Sequence, residues 1–298
     1  MELPLFEARP PQLEPPGTAL RPEAPPGSLA GLRVLITDDV DINREILHDM
    51  LSGAGAHVMS TESGEQAVAR MQEQGMGAYD LVLMDVQMPG MDGYEATRRL
   101  HEIDPALPVL ALTAHALSEE RQRSQEAGMC GHICKPIDQA ELLRTLAPFP
   151  RRQRNEAGAA MTPSPVKAAA RPADAPSPWP LVPEADFDNA VLRCAGRTDL
   201  LAKLLSSFAR QYEQHLSALE EARIAGPLAV RSYAHRLRGV AANLGLDGLA
   251  ATSAALEQQS TTAAGAELAM LIMATNRALA AHLQAIKAWE VSRLSRAA

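Results

Sequence analysis

The stretch LVLMDVQMPGMDGYEATRRL, residues 81–100, decides how this chain folds. Leu81–Val86 is an apolar run broken only by Asp85 near its end. Such a run reads as a strand buried on both faces. Residues 94–102 then change to helical periodicity. The same succession recurs on either side. Strands are expected at Leu32–Thr37, His57–Ser60, Val109–Thr113 and His132–Cys134, and helices at about 42–52, 64–74, 118–127 and 138–147. Five such units imply an α/β fold: a doubly wound parallel sheet with helices on both faces and right-handed crossovers. Chemistry then belongs at the carboxyl ends of the strands.

Outward from this domain the character of the chain changes. Residues 7–30 are rich in Pro, Ala and Gly and lack periodicity, as are residues 150–182. Neither tract buries enough apolar surface to offset its ordering entropy. The expected organisation is therefore a disordered tail at 1–30, an α/β domain at 31–149, a flexible Ala/Pro-rich linker at 150–183 and a second domain at 184–295. That second domain shows only helical periodicity, at about 187–194, 198–212, 214–225, 227–243, 246–259 and 264–291. Gly226-Pro227 and Gly245 punctuate it, which describes an all-α antiparallel bundle.

Composition narrows the function. Of 298 residues, 46% are hydrophobic but only 3% aromatic, so both cores must be aliphatic. A formal net charge of −8 argues against nucleic acid as a partner, which calls for a basic footprint. Cys130, Cys134 and Cys194 make no disulfide framework or paired metal motif, and fit a reducing, cytoplasmic setting. No apolar run is long enough for membrane insertion, and the N-terminus has no signal-peptide pattern.

The strand ends carry the chemistry. Strand one ends in Asp38-Asp39, strand three in Asp85, strand four at Thr113 and strand five at Lys135-Pro136. A parallel sheet gathers all of these at one edge. Three carboxylates packed together raise one another's pKa, and a hard divalent cation such as Mg²⁺ relieves the repulsion. Phosphoryl transfer needs such positioning and charge neutralisation. Asp85 is the expected nucleophile, with Lys135 and Thr113 holding phosphate oxygens.

The segments VLITDDVDINREIL, LVLMDVQMPGMDGYEATRRL, PVLALTAHAL and GMCGHICKPID resemble, in order, the receiver domains of two-component response regulators, a flavodoxin-like fold. The resemblance covers about 32–148. It implies Asp38 and Asp39 as the acidic metal pair, Asp85 as phosphoacceptor and the carbonyl of Gln87 as a further ligand to Mg²⁺. It implies Thr113 as switch hydroxyl, Lys135 as phosphate lysine, and a cis peptide before Pro136 that directs the lysine. His132 departs from the family, which places Tyr or Phe there. An imidazole adds proton sensitivity near neutral pH to that switch position.

In the helix at about 227–243, Val230, Ala234, Leu237, Ala241 and Leu244 form the apolar stripe. His235 lies off it, with Arg231, Arg238 and Gly239 one turn away, so it is expected to be exposed in a basic environment. Gly is costly inside a helix, and Gly239 fits the need for a partner domain to approach closely. The stretch SYAHRLRGVAANLGLDGLA resembles histidine-containing phosphotransfer (HPt) domains, from about Phe187 through Leu256. The resemblance implies His235 as a phosphorylated residue and Arg238 in the usual place of a lysine.

His101-Glu102 only faintly matches a kinase phosphorylation box, and no ATP-lid or Walker motif occurs. Met1–Phe6 resembles the last strand of a sensor-kinase ATP-binding domain, which implies the C-terminal part of a hybrid histidine kinase. The expected function is a phosphorelay. Asp85 accepts a phosphoryl group from an upstream sensor histidine kinase and exchanges it with His235, which serves a downstream response regulator. The alternative is a phosphorylation-controlled adaptor that binds or sequesters partner regulators without net relay.

Overall fold

A computed structural model of the chain describes residues 28–114, 118–151, 179–182, 184–194, 196–214, 217–263 and 265–297. The tail reading for 1–27, the Met1–Phe6 resemblance and most of the linker fall outside the described residues. The near ends of both tracts are packed. Leu29 is buried and its N–H donates to the Ala54 carbonyl at 3.1 Å. Trp179 stacks 5.8 Å from Phe187 and 6.2 Å from Trp289.

The strands β1 (Arg33–Thr37), β2 (His57–Thr61), β3 (Leu81–Asp85), β4 (Val109–Thr113) and β5 (Gly131–Cys134) form one all-parallel sheet. Its order is β2-β1-β3-β4-β5. The helices α1 (Asp41–Gly53), α2 (Gly64–Gln74), α3 (Gly93–Ile103), α4 (Ser118–Glu126) and α5 (Gln139–Leu146) alternate with the strands. One apolar layer joins the sheet to α1 and α5, and the other joins it to α2 and α3. The strand order reverses between β1 and β3, which opens a crevice beyond their carboxyl ends. Asp38, Asp39 and Asp85 stand there.

Local chemistry fixes the entrances to the helices around this crevice. Asp92 caps α3 by accepting from the Glu95 N–H at 2.8 Å, and Asp138 caps α5 through the Glu141 N–H at 2.8 Å. Each cap of this kind contributes about 1 kcal/mol. Gly93 is required by space. A Cβ there would lie 2.2 Å from the Asp85 carbonyl oxygen, so only glycine lets α3 start against the end of β3.

The second part of the chain is helical: α6 (Phe187–Arg193), α7 (Thr198–Gln214), α8 (Ala218–Ala225), α9 (Pro227–Asn243), α10 (Asp247–Gln259) and α11 (Ala266–Ala297). Helix α10 folds back on α9, and α11 packs on α10 and α7. The α9–α10 turn passes through Gly245 at φ +72°, where a Cβ would lie 2.4 Å from the Asp186 carbonyl oxygen. Among the described residues no helix is long and apolar enough to cross a membrane.

The helical part sits on the receiver-like part. Helix α7 packs against α1, and the apolar layer beneath α1 and α5 continues into the bundle core as one cluster. At the rim Lys203 pairs with Glu45 at 2.7 Å. Exposed pairs of this kind contribute little, so apolar continuity and buried hydrogen bonds dominate the contact.

Candidate functional site

The acidic cluster forms at the crevice, where the strand ends converge. Asp38, Asp39 and Asp85 each bring a carboxylate oxygen within 4.8 Å of the others. Lys135 reaches between them from the end of β5. Its Nζ donates to Asp38 Oδ2 at 2.9 Å and Asp85 Oδ2 at 2.7 Å, with the side chain 4% exposed. Asp38 is held from its other side by the Val40 N–H at 2.9 Å and by Asn43 Nδ2 at 3.1 Å to each oxygen. Asp39 Oδ1 is buried and has no hydrogen-bond partner among the described residues.

Burial pushes the Asp85 carboxyl up to about 6, against the pull of Lys135 and with the push of Asp38. Burial also raises Asp39, and Asp38 adds to it. For Lys135, burial opposes the charge, yet Asp38 and Asp85 outweigh it and hold the ammonium protonated. A cluster of hard oxygen donors with repelling charges and an orphaned carboxylate oxygen fits Mg²⁺.

The other expected receiver residues lie around this pocket. The Gln87 N–H donates to Asp85 Oδ1 at 3.3 Å, while its residue as a whole is exposed. Thr113 ends β4, and its hydroxyl donates to Glu120 Oε2 at 3.0 Å. The Lys135–Pro136 peptide is cis. His132 pairs in register with Ala111, half-buried. Burial lowers its pKa, helped by Arg121 and opposed by Glu141.

His235 departs from expectation. Helical periodicity places it off the apolar stripe and therefore in solvent, whereas in the folded chain it is only 6% exposed. The cover comes from the neighbouring domain and from α10. His235, Arg236 and Gly239 line one small cavity with Val40, Asn43, Asp85, Ala114 and Lys135. The imidazole thus opens onto the receiver's acid pocket. Gly239 is buried, and the nearest atom to a Cβ there would be Lys135 Cδ at 4.0 Å. The side chain that faces this glycine is thus the lysine of the pocket itself.

Three contributors escape a reading of the sequence. Glu257 on α10 bonds His235 Nδ1 through Oε1 at 2.9 Å, and its Oε2 pairs with Arg238 at 3.0 Å. Arg238 thus acts on the acid behind the imidazole. The signal was an acid within the buried stripe Leu249, Ser253, Leu256, Glu257 of α10. Arg236 pairs with Asp39 across the interface at 3.5 Å. Asn243 lies buried between the domains, bonded to Asn43 and Ile137. Arg236, Gly239 and Asn243 recur at i, i+3 and i+7, a second stripe on α9 beside the apolar one.

Comparison with known proteins agrees with this division. Residues 34–147 match the response regulator receiver domain and residues 203–289 the Hpt domain. The sensor protein GacS of Pseudomonas syringae pv. syringae is 32% identical over 240 residues, covering 76% of this chain and 24% of that protein. The signal transduction histidine-protein kinase BarA of Escherichia coli (strain K12) is 28% identical over 235 residues, covering 78% of this chain and 24% of that protein. A solved receiver domain of a sensor histidine kinase from Pseudomonas aeruginosa PAO1, described with a magnesium ion in its active site cleft, is 36% identical. It covers 40% of this chain and 98% of that one, with a TM-score of 0.37. The chain spans about a quarter of the length of the curated relatives. With its five-stranded parallel sheet and helical bundle, the chain belongs to the two-component phosphorelay proteins, as a response regulator receiver domain joined to an Hpt domain.

Proposed function

We propose that the chain relays a phosphoryl group between Asp85 and His235, taking it from a sensor histidine kinase and delivering it to a separate response regulator in the cytoplasm. One observation carries this reading: Asp85 and His235 line a single cavity, with Lys135 beside them. The Asp85 carboxylate attacks the phosphorus of a donor phosphohistidine, the P–N bond breaks, and an acyl phosphate forms. His235 then attacks that phosphorus through Nε2, the P–O bond breaks, and the Asp85 carboxylate is restored. With the ring proton on Nδ1 donated to Glu257, the lone pair is left on Nε2 for the attack.

Asp38, Asp39 and Asp85, with the Gln87 carbonyl, are the residues that would hold Mg²⁺. The ion would supply neutralisation of phosphoryl charge. Lys135 holds a phosphate oxygen once its present bonds to Asp38 and Asp85 loosen, and Thr113 does so after turning from Glu120. The direct test charges the full chain with acetyl phosphate and Mg²⁺ and follows base-labile acyl phosphate converting to base-stable phosphohistidine. Absence of the second species in a chain that makes the first would refute the relay.

Two further results are expected. Asp85 has a raised pKa, so it carries a proton below about 6 that a cation must displace. Mg²⁺ affinity should be nearly level above that pH and fall about tenfold for each unit below it. Calorimetric titration at pH 5 and pH 7.5 checks this, and an unchanged affinity would contradict it. At Gly239 there is space for a methyl group but little beyond. Gly239→Ala should leave Asp85-to-His235 transfer within a few-fold of normal. Gly239→Leu should slow it at least about tenfold, as misplacement of reacting groups does.

A further inference from the structure

The receiver surface beside the acid pocket offers two buried polar groups side by side. One is the Ile137 N–H, just beyond the Lys135–Pro136 peptide. The other is the Oδ1 of Asn43, and its orientation is not free. Asn43 Nδ2 donates to both oxygens of Asp38 at 3.1 Å, so the amide oxygen must point away from the pocket. The surface therefore presents one donor and one acceptor, and both need partners once water is excluded.

We propose that Asn243 is the residue by which the Hpt domain recognises its own receiver, its carboxamide matching this donor–acceptor pair. This rests on the relay reading above. Asn243 Oδ1 accepts from the Ile137 N–H at 2.9 Å, and Asn243 Nδ2 donates to Asn43 Oδ1 at 3.1 Å. Asn43 and Asn243 are 1% and 5% exposed, so neither bond is shared with bulk water. A carboxylate in place of Asn243 would lack the donor, an ammonium the acceptor, and an aliphatic chain both. The match is thus selective for a carboxamide two turns beyond the phosphoacceptor histidine on α9. It is also coupled to the chemistry. From Asn243 the hydrogen bonds run through Asn43 to Asp38, and from Asp38 to Lys135, which bonds Asp85. Correct docking of α9 and correct placement of the pocket lysine share one network. Asn243 acts as a positioning residue, since it touches neither the phosphoryl group nor the reacting atoms.

The test uses the full chain, charged with acetyl phosphate and Mg²⁺. Asn243→Ala is expected to leave the charging of Asp85 intact. It should slow transfer to His235 about tenfold to a hundredfold, the scale set by leaving two buried groups unpaired. Asn243→Asp keeps shape and acceptor but loses the donor, and should be at least as slow. Hydrogen exchange separates docking from folding. The Ile137 amide should be protected in the unmutated chain and exposed in Asn243→Ala, while amides inside β4 and α10 keep their protection. Transfer within twofold of normal in both variants overturns the proposal. So does free exchange at Ile137 in the unmutated chain, a readout that stands even if a variant fails to fold. If the unmutated chain forms no phosphohistidine, the relay itself fails and this inference with it. Normal transfer that ignores Asn243 sinks the inference alone.

Discussion

A chain carrying Asp85→Asn takes up no phosphoryl group from acetyl phosphate or from a phosphorylated kinase. Labelling should fall at least about a thousandfold, the scale on which removal of a covalent nucleophile acts. Asparagine keeps the shape of the side chain and the acceptor oxygen for Lys135, which in the unmutated chain sits 2.7 Å from Asp85. What is lost is the anionic nucleophile and one of the three carboxylates proposed to hold the cation. The fold itself should survive. Burial and the neighbouring Asp38 already disfavour the charge on Asp85, so a neutral side chain relieves repulsion. Label on His235 in this variant would show that the imidazole is charged independently, and the order of transfer would have to be reversed.

The second large effect is at His235. In His235→Gln, Asp85 still accepts the phosphoryl group, but no base-stable label forms and transfer to a downstream regulator is lost. The loss should again be about a thousandfold or more. Glutamine retains a polar group toward the buried Glu257, whose Oε1 bonds His235 Nδ1 in the unmutated chain. The acyl phosphate on Asp85 then decays only by hydrolysis, so its lifetime should lengthen. Measuring both species over time separates the steps. Onward transfer at the normal rate in this variant would remove the bundle from the pathway.

Much of this site was legible because strands buried on both faces leave unbroken apolar runs. Asp85 interrupts one such run, and Asp38, Thr113 and Lys135 end others. Once the sheet is parallel, those ends must meet. The helix bearing His235 was legible from its apolar stripe, and all five stripe residues are buried. What the periodicity of one helix cannot carry is the effect of a neighbour. His235 reads as exposed on an isolated helix and is covered in the fold by α10 and by a different domain. Glu257 becomes meaningful only when α10 folds back along α9. Asn43 and Asn243 are 200 positions apart and have no local pattern that pairs them. Leu29 reads as tail because its neighbours are polar or small, yet it is buried in the same apolar cluster as α1.

The covered imidazole has a kinetic consequence. While the two domains are closed on each other, the imidazole proposed to carry the phosphoryl group is only 6% exposed and closed to an outside protein. The on-board receiver and any downstream regulator are therefore competitors for one seat. Raising the regulator's concentration should speed delivery only up to a plateau, and the height of that plateau is the rate at which the chain opens. Substitutions that weaken the closed form would slow loading while lifting the plateau, so the strength of this internal embrace sets the trade between filling the relay and emptying it.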